Sequence, residues 1–341
     1  MKKIFSLTAC VLIFSACEAI DYDEYYGSKS SETQPVMSTF ITYDTPVAST
    51  TEDLPDESDI LKEILVENGT PRFSDSSLIE SEYGVCYNLS GRELIYGKNL
   101  DNRIYPASIT KLLTALVAIE KVPEDFEFIV GSEIDLISED SSVARLKEGQ
   151  ILDLKGIITA LILPSGNDAA YTIAVNVARG QVGEDHSDEE MASYFVNLMN
   201  EYAKRIGANG SNFRNPDGYH DDEHFSTIRD LLKISVAASE NKLLCEICGK
   251  TSADIKFISG ENASYENNHN LMKSDVWDVR GLKTGVTDQA GYCFAGYVVI
   301  NDEEYITVVS GSDDANMRDS DTIKLFEMAE SGKGYYNARL E

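Results

Sequence analysis

A serine and a lysine three residues apart, Ser108 and Lys111, form the first pair in the sequence that could carry out covalent chemistry. Residues at this spacing lie on one face of a helix, so the lysine amine can reach the serine hydroxyl. Serine is a weak nucleophile until a base removes its proton, and lysine can be that base only if burial or a nearby cation lowers its pKa. Residues 112–119 are apolar at helical spacings, which predicts a helix in the interior.

The spacing alone is weak support, because Ser239 and Lys242 share it and are typical of an ordinary helix surface. Ser108 differs because it begins an apolar helix behind Pro106, where a charged Lys111 would need a reason to be buried. The sequence therefore favours residues 108–111 as the pair that carries chemistry.

Two further triplets follow along the chain. Ser-Gly-Asn at 165–167 lies at a break between two predicted helices, where its simplest interpretation is a helix cap. Lys-Thr-Gly at 283–285 lies on a predicted strand. It is either an exposed strand end or part of a strand that lines a cleft, with an amine and a hydroxyl for a carboxylate.

The elements that must position these triplets are predicted from hydrophobic spacing. They are strands at 83–88, 93–96, 281–285, 291–300 and 304–311, and helices at 112–119, 151–177 with a break at 164–166, 191–206 and 319–329. Strands at both ends with helices between them predict one antiparallel sheet that both ends complete, plus a helical subdomain.

The three triplets occur in a defined order, 57 and 118 residues apart. This arrangement resembles the signature of active-site serine penicillin-recognising enzymes. Further segments make the chain similar to the low-molecular-mass D-alanyl-D-alanine carboxypeptidases, over roughly residues 75–331: Pro-Ala-Ser-Ile-Thr-Lys-Leu at 106–112, Asn-Pro-Asp-Gly at 215–218, His-Phe-Ser-Thr at 224–227 and Gly-Leu-Lys-Thr-Gly at 281–285. The resemblance implies a β-lactamase/transpeptidase-like α/β (α+β) fold, a five-stranded antiparallel sheet flanked by helices with an all-helical subdomain.

The resemblance also implies catalytic roles. Ser108 would attack the carbonyl between the two terminal D-alanines of a peptidoglycan stem peptide, with Lys111 as its general base. Ser165 would relay a proton to the departing amine, and Asn167 would hold the substrate amide and Lys111. The backbone N–H groups of Ser108 and Val286 would form the oxyanion hole.

Substrate binding is implied for the third triplet. Lys283 and Thr284 would bind the terminal carboxylate, on the strand that continues through Gly285 and Val286. Water would hydrolyse the acyl-enzyme, and penicillins, which mimic D-Ala-D-Ala, would trap Ser108 as inhibitors. The resemblance implies neither a metal nor a cofactor.

Two alternatives stay open. A class A β-lactamase needs a glutamate between the second and third motifs, and the one candidate at a suitable distance is Glu201, which lies within a predicted amphipathic helix. The middle Gly166 also departs from the Ser-Asp-Asn of that class. The other alternative is a non-catalytic protein that binds the cell wall on the same fold.

The N-terminus has the features of a bacterial export signal. Two lysines precede an apolar run at 4–16, and Phe-Ser-Ala-Cys at 14–17 resembles a lipobox. We therefore expect a lipoprotein-type signal peptide at 1–16, with lipidation of Cys17 and an anchor on the outer face of the cytoplasmic membrane. Ordinary cleavage near Ala19, which would give a secreted protein, is the alternative. Either way the protein is expected outside the cytoplasm.

Residues 17–72 are expected to be an acidic disordered tether, because positions 18–59 carry eleven acidic residues against one basic residue and lack periodicity. The serine DD-peptidase domain is expected at 73–341. With 29 Lys+Arg against 58 Asp+Glu, the whole chain has a formal charge of −29. That charge argues against a nucleic-acid partner.

Two other groups of residues leave a choice. Cys245 and Cys248 are either a disulfide or metal pair or two packed helical cysteines. Arg229 and Arg280 either help to bind the substrate carboxylate or form surface ion pairs.

Overall fold

The computed structural model describes residues 70–183, 185–267 and 269–331. The predicted signal peptide, Cys17 and most of the predicted tether lie outside the described residues. No helix within the described ranges combines the length and the apolar character that a bilayer span requires.

One five-stranded antiparallel sheet forms the centre of the fold. Its strands are β1 (Tyr83–Asn88), β2 (Glu93–Lys98), β7 (Asp278–Thr287), β8 (Gly291–Ile300) and β9 (Glu303–Ser312). They pair in the order β2-β1-β9-β8-β7. This order confirms the prediction that strands from both ends of the folded part complete one sheet. Two small two-stranded sheets pair β3 (Phe128–Ile129) with β4 (Ile151–Leu152), and β5 (Ser252–Lys256) with β6 (Asn262–Glu266).

Seven α-helices lie among the described residues: α1 (Thr110–Lys121), α2 (Leu154–Ile162), α3 (Asn167–Val182), α4 (Asp188–Arg205), α5 (Ile228–Glu240), α6 (Lys242–Cys248) and α7 (Ala315–Ser331). Alternate strand residues point to opposite faces of the sheet. On β9, Val308 therefore belongs to the core shared with the first six helices, whereas Val309 packs in the cluster that contains Leu325 and Phe326 of α7. The predicted fold class is confirmed.

Helix α1 is the buried helix that the sequence predicts, and every residue from Thr110 to Ala118 is buried. The predicted helix from 151 is wrong at its start, because Ile151 and Leu152 form strand β4. Asp153 then caps α2 by accepting a hydrogen bond from the Gly156 N–H. A short apolar run fits a strand or a helix equally well, so periodicity does not place this boundary.

Candidate active site

Ser108 lies in a 3-10 turn, Ala107–Ile109, that leads directly into α1. Lys111 is in the first turn of α1, and its Nζ atom is 2.8 Å from the Ser108 Oγ atom. Ser108 is partly exposed, whereas Lys111 is fully buried. Ala107 has a φ of 47°, which is uncommon for a residue with a side chain. The structure therefore brings together the predicted nucleophile and base, with backbone strain at the preceding residue.

Burial governs the charge of this lysine. It lowers the pKa of Lys111 from its ordinary value to about 8, against the opposing effect of the Asp217 and Asp168 carboxyl groups. A neutral amine is therefore accessible near neutral pH, as a general base requires. The second Ser-x-x-Lys pair has no such environment. Ser239 donates to the Val236 carbonyl within α5, and the exposed Lys242 begins α6.

Residues 213–224, which lie about 100 positions after α1 in the sequence, form hydrogen bonds to this helix. We call them the clamp segment. The Lys111 amine donates to the Asp217 carbonyl at 2.6 Å, and Thr114 donates to the Pro216 carbonyl at 2.5 Å. At Gly218, where φ is 81°, a Cβ atom would lie 1.9 Å from the Ala107 carbonyl oxygen. Only glycine fits this contact, so the clamp segment lies directly against the turn that carries the nucleophile.

The Ser-Gly-Asn triplet forms the turn between α2 and α3. Ser165 has a φ of 60° and is nearly buried, and Asn167 begins α3. A Cβ atom at Gly166 would lie 2.7 Å from the Ala160 carbonyl oxygen and 2.8 Å from an Asp168 carboxylate oxygen. The glycine that departs from Ser-Asp-Asn is therefore required by the close packing of this turn.

The same turn carries a surface loop, residues 138–146. The Asn167 side chain donates to the Ser141 hydroxyl at 2.9 Å, and the two Asp168 carboxylate oxygens accept from the N–H groups of Ala144 and Leu146 at 2.8 and 2.9 Å. Among the described residues, no hydrogen bond joins Asn167 to Lys111. The structure thus places Asn167 as the attachment point of the loop, and its expected contact with Lys111 stays a prediction.

Strand β7 carries the third triplet at the edge of the sheet. Lys283 is 4% exposed, and its amine donates to the Thr284 carbonyl at 3.0 Å. No carboxylate in the described part of the chain lies within ion-pair distance of this amine. Burial, followed by the nearby charge of Lys111, lowers the pKa of Lys283 to about 7. The expected binding of a carboxylate by this amine stays a prediction.

Gly285 allows β7 to approach the nucleophile. A Cβ atom at this position would lie 3.0 Å from the Ser108 backbone nitrogen and 3.0 Å from the Ala107 Cβ atom. The next residue, Val286, is 55% exposed. The edge of the sheet and the turn that carries Ser108 thus meet at the Ser108 N–H, where the resemblance implies an oxyanion hole.

Sequence reasoning missed several residues next to this triplet. A shallow cleft beside Lys283 is lined by His269, which is 2% exposed and stacks on Phe294 with ring centroids 3.7 Å apart. The buried Arg318 pairs with Asp319 at 2.7 Å behind it. Asp217, Gly218 and His224 of the clamp segment were quoted only for the resemblance, and no local spacing ties them to Lys111.

The peptidase family S11, D-alanyl-D-alanine carboxypeptidase, matches this chain over residues 74–314. The chain belongs to this family. Its S11 membership confirms the resemblance drawn from the motifs.

Individual S11 relatives agree with this assignment. D-alanyl-D-alanine carboxypeptidase DacF of Bacillus subtilis is 26% identical over 253 residues, which are 73% of this chain and 62% of that protein. D-alanyl-D-alanine endopeptidase of Escherichia coli is 27% identical over 75% of this chain and 79% of that protein. The crystal structure of the Streptomyces K15 DD-transpeptidase superposes with a TM-score of 0.67 at 25% identity, covering 73% of this chain and 97% of that one. The chain thus spans less than two thirds of the Bacillus relative.

The remaining candidates lie outside the site. Arg229 pairs with Asp101 at 2.6 Å and Arg280 with Asp278 at 3.0 Å, which confirms the surface ion-pair interpretation. Glu201 is exposed on α4. The two cysteines of α6 are free thiols, and Cys248 is buried against Gly281, so the interpretation as packed helical cysteines is confirmed.

Proposed function

We propose that this S11 protein is a serine D-alanyl-D-alanine carboxypeptidase that removes the terminal D-alanine of a peptidoglycan stem peptide through an acyl-enzyme on Ser108. The observation that carries the proposal is the 2.8 Å contact between the buried Lys111 amine and the Ser108 hydroxyl. A desolvated, neutral amine in this position can take the hydroxyl proton as the Oγ atom attacks a carbonyl.

The reaction follows from the surrounding groups. The Ser108 Oγ atom bonds to the carbonyl carbon, its proton passes to Lys111, and the backbone N–H groups of Ser108 and Val286 stabilise the oxyanion, worth roughly 3–4 kcal/mol for one such donor. The C–N bond then breaks, and the proton returns through Ser165 to the amine of the departing D-alanine. Water repeats the sequence on the ester, while Asn167 holds the substrate amide.

The two lysines cooperate in this scheme. A substrate carboxylate bound by Lys283 and Thr284 raises the pKa of Lys283, because an opposite charge favours the protonated amine. A cation at Lys283 in turn disfavours a second cation at Lys111. Substrate binding therefore keeps the proton on the binding lysine and leaves the catalytic lysine neutral.

A direct test is the release of D-alanine from a synthetic stem peptide ending in D-Ala-D-Ala, with the whole chain and its Ser108→Ala variant. Release that disappears in the variant supports the proposal. A folded wild type that binds the peptide without cleaving it would favour the non-catalytic wall-binding alternative. Cleavage of a cross-linked peptide alone would assign endopeptidase activity, the activity named for the E. coli relative.

The same site predicts the response to β-lactams. A penicillin should acylate Ser108 and leave slowly, because the exposed Glu201 on α4 does not fit the water-activating glutamate of a class A β-lactamase. Rapid turnover of nitrocefin would instead support the lactamase alternative.

We further propose that the domain at 73–341 acts outside the cytoplasm, carried by the acidic tether at 17–72 and anchored through a lipid on Cys17. The lipobox-like end of the signal at 1–16 supports this arrangement. Cys17→Ser should release the protein from membranes, whereas unchanged membrane association would exclude this anchor.

A further inference from the structure

The clamp segment contains a buried histidine that the scheme above does not use. His224 is 2% exposed, and its Nδ1 atom accepts a hydrogen bond from the backbone N–H of Arg214 at 3.0 Å. Its Nε2 atom is 2.9 Å from the Thr110 Oγ1 atom. Because Nδ1 accepts, the single proton of the neutral ring is on Nε2 and is donated to Thr110.

The two hydrogen-bond partners of this ring, Thr110 and Arg214, belong to the two segments that hold Lys111. Thr110 precedes Lys111 in α1, and Arg214 begins the stretch that leads to Asp217, whose carbonyl accepts from the Lys111 amine at 2.6 Å. The ring is therefore a cross-link between the helix that carries the base and the loop that holds it.

We propose that His224 is a positioning residue for the general base, which keeps the Asp217 carbonyl on the Lys111 amine and keeps water away from that amine. This inference rests on the proposed function. A carbonyl oxygen can only accept, so it engages one N–H of the neutral amine. The lone pair of the amine is then left to face the Ser108 hydroxyl, whose proton the amine must remove.

The charges around Lys111 and His224 determine how a substitution of His224 would change the pKa of Lys111. Lys111 faces Asp217 of the clamp segment, Asp168 of α3 and Lys283 of β7, and burial is the largest influence on its pKa. A clamp segment that loosens admits water, which restores the pKa of Lys111 toward its ordinary, higher value.

The ring itself does not titrate in the working range. Burial lowers the pKa of His224 to about 3, and the nearby His220, Arg214 and Lys111 act in the same direction, while Asp221 opposes them. His224 is thus neutral at every pH at which Lys111 changes charge. A pH effect of its substitution would report on the lysine and not on the ring.

Two substitutions separate the two contacts of the ring. In His224→Asn, the side-chain oxygen can replace Nδ1 and keep the Arg214 contact, while the contact with Thr110 is lost. In His224→Gln, the amide nitrogen can replace Nε2 and keep Thr110, while the contact with Arg214 is lost. The measurement is the second-order rate constant for acylation of Ser108 by a fluorescent penicillin, on the whole chain, between about pH 6 and pH 10.

We expect the rate of the wild type to rise with a midpoint near the Lys111 pKa of about 8. In both variants the midpoint should move up by about one pH unit and the rate at pH 7 should fall about tenfold, while the rate near pH 10 changes by less than about threefold. Thr110→Val, which removes the acceptor, should reproduce His224→Asn, and the double variant should be no worse than either single one.

Ser235→Ala is the matched control, because Ser235 is fully buried and donates to the Leu231 carbonyl within α5, and among the described residues no hydrogen bond joins it to the clamp segment. It should lower the melting temperature and leave the midpoint unchanged. Variants of His224 and Thr110 that lower only the melting temperature, with the midpoint and the pH 7 rate within about twofold of the wild type, would overturn the inference. A wild type that is never acylated would overturn the proposed function, and this inference with it.

Discussion

Two buried lysines, Lys111 and Lys283, meet at the candidate site, and neither has an ion-pair partner within hydrogen-bond distance among the described residues. Buried cations without such partners cost folding free energy. They persist where function needs a neutral base or an empty anion site.

Replacing Lys283 should stabilise the fold. In Lys283→Met a buried amine that donates to the Thr284 carbonyl gives way to an apolar side chain of similar length. We expect a gain of about 1–3 kcal/mol at neutral pH, or roughly 2–6 °C in melting temperature, with loss of activity on peptides that end in a carboxylate.

The pH dependence of this gain has a definite sign. The folded pKa of Lys283, about 7, lies below its ordinary value of 10.5. The free-energy cost of burying the charged amine is therefore complete below pH 7. It disappears as the pH rises toward 10.5, the pKa of the free amine. Melting curves should show the gap between variant and wild type closing from pH 7 to about pH 10; a constant gap would contradict this origin.

At the scale of single residues, the sequence predicted the contacts between residues that are close together in the chain. Ser108 and Lys111 lie one helical turn apart, so their contact could be read from spacing. The Asp217 carbonyl comes from a segment 106 positions later, and a backbone acceptor leaves no trace in residue type. His224 lies further along the same distant segment, and no local spacing ties it to Lys111.

Among the elements, the close approach of β7 to the nucleophile turn is the most sensitive contact. Gly285→Ala would push a methyl group to within 3.0 Å of the Ser108 nitrogen. We expect acylation of Ser108 to fall at least about tenfold with a change in stability below about 1 kcal/mol, since the strand edge can retreat slightly.

Gly180→Ala is the matched control for this change. Gly180 lies in α3, and a methyl group there would meet the Phe126 ring at 3.8 Å, which is ordinary van der Waals contact. The variant should gain up to about 1 kcal/mol from helix propensity and keep the acylation rate of the wild type. Equal loss of acylation in both variants would exclude a specific role for the β7 contact.

The loop at 138–146 depends on one carboxylate. Asp168→Asn replaces one of the oxygens that accept from Ala144 and Leu146 with a donor, so one N–H loses its partner at a cost of about 1–3 kcal/mol. Because the Asp168 charge raises the pKa of Lys111, its removal should also move the acylation midpoint to lower pH. A midpoint shift to higher pH in titrated acylation rates would contradict this account.

Element boundaries followed from the sequence where a long apolar run lies between polar turns. β8 was predicted at its observed ends, Gly291 and Ile300, because apolar residues fill it between two polar turns. The hairpin of β5 and β6 was missed, since β5 alternates between exposed and partly exposed residues and buries no full apolar face.

For the whole molecule, the net charge of −29 opposes the approach of the anionic stem peptide that we propose as the substrate. Raising the salt concentration from about 20 to about 200 mM should increase kcat/KM for a stem peptide of net charge −1 by about two- to fivefold, because screening weakens the repulsion.

A peptide with one free side-chain amine, and therefore no net charge, is the control and should show a change below about 1.5-fold. An equal response of the two peptides would mean that salt acts on the enzyme itself and not on the encounter.

The pairing of β1 with β9 places Tyr83 beside Ser310, so the centre of the sheet joins segments more than 200 positions apart. Contacts of such long range form slowly, because a long loop must close before they form. Neither Lys283 nor the edge beside Ser108 can be in place until β7, β8 and β9 have all been synthesised. A chain halted before β9 would lack the strand that joins β1 to β8, so the turn that carries Ser108 would have no β7 edge fixed beside it.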